Sequence, residues 1–140
     1  MSISKIPTSK GRILVIDDSE VLLSRVKSAL GAAGYDVIAT TQTVGTARHL
    51  QGCDLVVVDF HMPGFDGKSV LGSLRGAMRG GTDAPPLFYL YTNDESATRD
   101  WSHHGFDGVF TRKGDDRALV EQVDAAFRMR RMRALANRTK

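Results

Sequence analysis

Four short apolar runs set the rhythm of this chain: Ile13-Leu14-Val15-Ile16, Leu55-Val56-Val57-Val58, Leu87-Phe88-Tyr89-Leu90-Tyr91 and Val109-Phe110. Leu55 to Val58 shows no alternation, as expected of a central parallel strand covered on both faces. Tyr35 to Thr40 supplies a further strand. Between the runs the apolar spacing switches to three and four residues, the period of a helix with one buried face. Val21, Leu22, Val26, Ala29 and Leu30 predict a first helix ended by Gly31 and Gly34. Val44 to Leu50 predicts a short second helix, Val70, Leu71, Leu74 and Met78 a third, and Ser96 to His104 a fourth. The last begins near Asp115, where Asp115 or Asp116 can cap it, with Leu119, Val123, Ala126 and Phe127 inward. Met62 to Gly67 and Gly80 to Pro86 read as loops, since proline removes a donor and glycine permits positive φ.

Five strand-helix units in succession predict an α/β fold, a doubly wound parallel sheet of five strands with helices on both faces. Asp17, Asp18, Asp59, Thr92 and Lys113 each lie at or just past the end of one of the four runs. In an open parallel sheet those ends share one edge, and ligands bind in the crevice there. Three carboxylates, a hydroxyl and an ammonium would then meet. Clustered carboxylates repel unless a cation joins them, and hard oxygen donors suit Mg²⁺ or Ca²⁺. The ammonium and hydroxyl suggest a second guest with negative oxygens, such as a phosphoryl group.

The 140 residues suffice for one domain with its own core. The lone cysteine, Cys53, cannot form an internal disulfide and reads as a buried, inert thiol. Met1 to Lys10 has no signal-peptide apolar stretch, and no segment approaches the roughly 20 apolar residues of a membrane span, so a soluble cytoplasmic protein is expected. The charge is uneven. Of the overall +3, the last thirteen residues hold +6 with no acid, which leaves −3 for the remainder. The basic end lacks aromatic interleaving and a reading motif, which favours a solvated helix end or partner contact over nucleic acid or a membrane. Its apolar positions Met129, Met132, Leu135 and Ala136 form a stripe that invites a partner or a second copy of the chain.

Asp17-Asp18 after the first strand, Asp59 followed by Met62-Pro63-Gly64 and Asp66-Gly67, Thr92, and Lys113 after Gly105-Phe106-Asp107-Gly108-Val109-Phe110 together resemble the receiver domain of bacterial two-component response regulators. The similarity spans about residues 11 to 128, with 129 to 140 as a basic extension. It implies a flavodoxin-like (βα)5 fold of strand order 2-1-3-4-5 and a switch that is not a conventional enzyme. By this resemblance Asp59 accepts a phosphoryl group from a histidine kinase or phosphotransfer protein, and the domain promotes both its own phosphorylation and its dephosphorylation. Asp17, Asp18, Asp59 and the backbone carbonyl of His61 would hold Mg²⁺, and Lys113 and Thr92 would bind phosphoryl oxygens.

The resemblance further implies that Thr92 moves toward the phosphoryl group and lets Phe110 turn inward. The surface of the fourth helix, fifth strand and fifth helix would then change for a downstream partner. The chain departs from the family pattern at several positions. Gly114 replaces the proline usual after the lysine, and Phe110 replaces a tyrosine. Asn93, not a small apolar residue, follows Thr92, and Asp94 and Glu95 add charge at the pocket mouth. His61 would overlook the acyl phosphate, its ring modulating water access. The alternatives are a receiver-like interaction module that needs no phosphate, and a flavodoxin-like cofactor binder. The latter is disfavoured because no Gly-, Ser- or Thr-rich loop follows the first strand.

Overall fold

In the computed structural model the described residues are 9–41, 52–59, 61–62, 65–66, 86–93, 99, 102 and 105–138. The strands are β1 (Arg12–Ile16), β2 (Asp36–Thr40), β3 (Leu55–Asp59), β4 (His61–Met62), β5 (Phe65–Asp66), β6 (Leu87–Tyr91) and β7 (Gly108–Phe110). The helices are α1 (Glu20–Ala32) and α2 (Asp116–Arg138). Five strands form one parallel sheet in the order β2-β1-β3-β6-β7, which is 2-1-3-4-5 counted within the sheet. β3 is central and buried at every position, as its unbroken apolar run requires. The helices expected over Val44 to Leu50 and around Val70 to Met78 lie outside the described residues, as does that over Ser96 to His104 apart from Arg99, which is helical, and Ser102.

The sheet separates two apolar layers. Ile13, Val15, Leu55, Val57 and Tyr91 face one side and pack with Leu23, Val26 and Leu30 of α1 and Leu119, Val123, Ala126 and Phe127 of α2. Leu14, Ile16, Val56, Val58, Phe88 and Leu90 face the other, together with Cys53 and Phe106. Alternation of side chains along each strand produces this division.

α1 starts where Ser19 accepts the backbone N–H of Leu22 and Glu20 complements the dipole. It ends at Ala32, so Gly31 lies inside it and Gly34, at φ +106°, makes the reversal. Its inner face is rotated from the expected one. Leu23 is buried against the sheet and Val21 is 74% exposed, so the buried stripe is centred on Leu23, Val26 and Leu30. Asp115 caps α2 by accepting the Ala118 N–H. Within the stretch expected as a loop, Met62 pairs antiparallel with Phe65, and Asp66 pairs with His61 just before it, since extended residues so near in sequence can pair.

α2 runs unbroken through position 128. Arg130, assigned from the sequence to the extension, reaches back to the Asp54 carboxylate at 2.8 Å and to the Asp54 carbonyl at 3.1 Å. Met129, Met132 and Leu135 are exposed. Among the described residues, no helix is long and apolar enough to cross a membrane.

Candidate functional site

The sheet edge receives its acids from two strand ends. Asp17 follows β1 and is 2% exposed, and its N–H continues the ladder by donating to the Thr40 carbonyl. Its Oδ1 accepts the Ser19 N–H at 2.9 Å, which fixes the carboxylate at the mouth of α1. Asp18 beside it is exposed. Asp59 closes β3, is 7% exposed and pairs in register with Tyr91. One carboxylate oxygen from each of the three acids lies within 4.8 Å of the others.

Lys113 enters from the β7–α2 connection. Its Nζ lies 2.9 Å from Asp17 Oδ2 and 2.9 Å from Asp59 Oδ1, so one ammonium bridges two buried carboxylates. Burial disfavours the charged form, but the hydrogen bonds and charges of Asp17 and Asp59 outweigh it and raise the pKa above that of an ordinary lysine. The amine also stands 5.9 Å from the centre of the Tyr91 ring. Thr92 follows β6 one residue beyond the partner of Asp59 and is 3% exposed, and its N–H donates to the Phe110 carbonyl at 3.2 Å.

Phe110 lies close behind Thr92. Its ring is buried, 2% exposed and stacked on Tyr89 with ring centres 4.4 Å apart. A phenylalanine has no hydroxyl that would hold the ring at a wet surface, so inward packing is its favoured position. The backbone of His61 lies in β4, just past Asp59.

Sequence reasoning did not find three residues that shape this pocket. The Tyr91 hydroxyl accepts the Gly114 N–H at 3.1 Å, and Arg25 of α1 donates to the Gly114 carbonyl at 3.1 Å while pairing with Asp116 at 3.2 Å. The side-chain amide of Asn93 bonds both backbone groups of Lys113. Of these, only Asn93 carried a signal, as a polar residue where the family pattern has a small apolar one.

The sequence matches the response regulator receiver domain over residues 13–124. The chain belongs to that family. It is a receiver domain of two-component response regulators, whose standard function is to be phosphorylated on an aspartate. The chain is 36% identical over 118 residues to the transcriptional regulatory protein KdpE of Mycobacterium tuberculosis, an alignment covering 83% of this chain and 50% of KdpE. The chain thus spans about half the length of that relative. The fold resembles the chemotaxis response regulator CheY4 of Vibrio cholerae, at a TM-score of 0.68 and 18% identity over 84% of this chain and 98% of CheY4. It also resembles the signal receiver domain of an HD domain-containing protein from Pseudomonas fluorescens, at 0.69 and 20% over 91% and 93%. Receiver domains are phosphoacceptor switches that usually bind Mg²⁺ at an acidic pocket. The donors in this receiver suit that ion in kind, being three carboxylate oxygens gathered within 4.8 Å of one another.

Proposed function

We propose that Asp59 is the phosphoacceptor of this receiver, with Lys113 and Thr92 binding the incoming phosphoryl group and Asp17, Asp18, Asp59 and the His61 carbonyl binding Mg²⁺. The observation that carries the reading is the bridge of Lys113 Nζ, 2.9 Å from both Asp17 and Asp59, because it sets a fixed positive charge beside two buried strand-end carboxylates, of which Asp59 closes the central strand. An Asp59 oxygen bonds to phosphorus as the phosphorus–nitrogen bond of a donor phosphohistidine breaks, and the electron pair leaves with the imidazole nitrogen, which takes up a proton. Lys113 remains beside Asp59 and faces the charge that builds on the phosphoryl oxygens. Thr92 offers a hydroxyl one residue beyond the rung that holds Asp59. Mg²⁺, when bound, adds charge neutralisation.

Hydrolysis reverses the state: a water oxygen bonds to phosphorus, the bond to Asp59 breaks, and carboxylate and inorganic phosphate are restored. The donor is a histidine kinase or phosphotransfer protein. Phosphorylation acts on the seam of β6 and β7, where Thr92 and Phe110 are joined through the backbone, and so on the face that β7 and α2 offer to a downstream partner or a second copy of the chain.

The test uses a small phosphodonor with Mg²⁺. Asp59→Asn should abolish labelling, and Mg²⁺ should raise the melting temperature of wild type but not of the double variant Asp17→Asn and Asp18→Asn. Undiminished labelling of Asp59→Asn, or an equal Mg²⁺ effect on the double variant, refutes the respective assignment.

A further inference from the structure

The lysine of this pocket sits on a connection with little regular structure of its own. Between β7 and α2 the chain passes Arg112 at φ +57° and Gly114 at φ +101°, two left-handed positions in a five-residue link. The ammonium can bridge Asp17 and Asp59 only if the backbone beneath it is fixed, because a flexible four-carbon side chain on a loose loop samples many positions.

Asn93 supplies that fixing. The Lys113 N–H donates to Asn93 Oδ1 at 2.8 Å, and Asn93 Nδ2 donates to the Lys113 carbonyl at 3.0 Å. The β6–β7 ladder runs through Tyr91 with Phe110 and gains one more bond where Thr92 donates to Phe110. Past that point the strands part. The amide of Asn93 then reproduces both halves of a backbone rung, and only a side chain that donates and accepts from one planar group can do so. Aspartate would lack the donor, and the small apolar residue common at this position would lack both.

We infer that Asn93 is a positioning residue for phosphoryl transfer, acting through Lys113. The inference rests on the reading of Lys113 given above. Asn93 is exposed, so truncating it empties no core. Asn93→Ala should therefore keep its melting transition and yet slow labelling by a small phosphodonor by about tenfold, the scale expected when a charged group loses its placement by a fraction of an ångström.

Two further readouts separate positioning from a general structural role. In a Lys113→Ala background, Asn93→Ala should cause no additional slowing, since the lysine through which it acts is gone. Mg²⁺ affinity should also rise in Asn93→Ala, in the direction of Lys113→Ala, because a displaced ammonium no longer competes with the cation for the Asp17 and Asp59 oxygens.

Each outcome decides something. If Lys113→Ala slows labelling while Asn93→Ala leaves it unchanged, or if the two effects are additive, the positioning role is overturned and the reading of Lys113 stands. Unchanged or weakened Mg²⁺ binding in Asn93→Ala likewise overturns it. If Lys113→Ala itself labels at the wild-type rate, the reading of Lys113 fails, and the role of Asn93 fails with it.

Discussion

Lys113 lies between Asp17 and Asp59 because two distant pieces of chain end at the same sheet edge, and this makes its protonation a folded-state property. Its pKa is raised, so the stabilisation it brings is fully present below the ordinary lysine value of 10.5 and is lost as pH rises through the folded value. Cys53 titrates earlier with the same sign. Burial pushes its thiol from 9.0 to about 11, so in that window the unfolded chain releases a proton that the folded chain keeps, and stability falls. Urea unfolding should give a stability that is flat near neutral pH and declines above pH 9. Cys53→Ala should remove part of the decline between pH 9 and 11, on the order of 2 kcal/mol by the upper end. Equal losses in wild type and variant would show that the thiol is not shielded as its 4% exposure indicates.

At the scale of elements, the β7–α2 connection carries the lysine and its geometry excludes the proline that the family usually has next. Gly114 sits at φ +101° and donates its N–H to Tyr91, whereas proline is fixed near φ −65° and has no N–H to give. A Cβ at Gly114 would meet no atom within 4 Å, so Gly114→Ala isolates the backbone strain, about 1–3 kcal/mol. Gly114→Pro should cost more, since it also removes the bond to Tyr91. Chemical denaturation of both variants checks the order, and a neutral Gly114→Ala would mean that the connection adopts another backbone state. The same reasoning explains the face of α1. Periodicity narrowed the buried stripe to neighbouring candidates, and the position of the helix over the sheet selected Leu23 over Val21.

For the whole molecule, the question is where the folded body ends along α2. Leu119, Val123, Ala126 and Phe127 belong to the core, and Arg130 still grips Asp54, whereas Met132 and Leu135 touch little. Cutting after Arg131 should leave the melting temperature within about 2 °C of wild type, by the usual behaviour of exposed segments. Cutting after Phe127 should cost about 1 kcal/mol more, a modest figure because the Arg130–Asp54 pair is partly open to solvent. Thermal unfolding of the two truncations tests this, and equal stabilities would place Arg130 outside the body.

The sequence by itself determined the parallel sheet and the acids and lysine that gather at one edge, while the strand order came from its resemblance to receiver domains. Apolar runs and their spacing are local properties, and the ends of parallel strands meet whatever lies between them. It could not determine that Phe110 lies inward against Tyr89, that Asn93 closes on Lys113 across 20 residues, or that Arg25 and Arg130 reach partners 91 and 76 residues away. Those contacts depend on the distance and angle between elements, which packing sets and hydrophobic period does not encode.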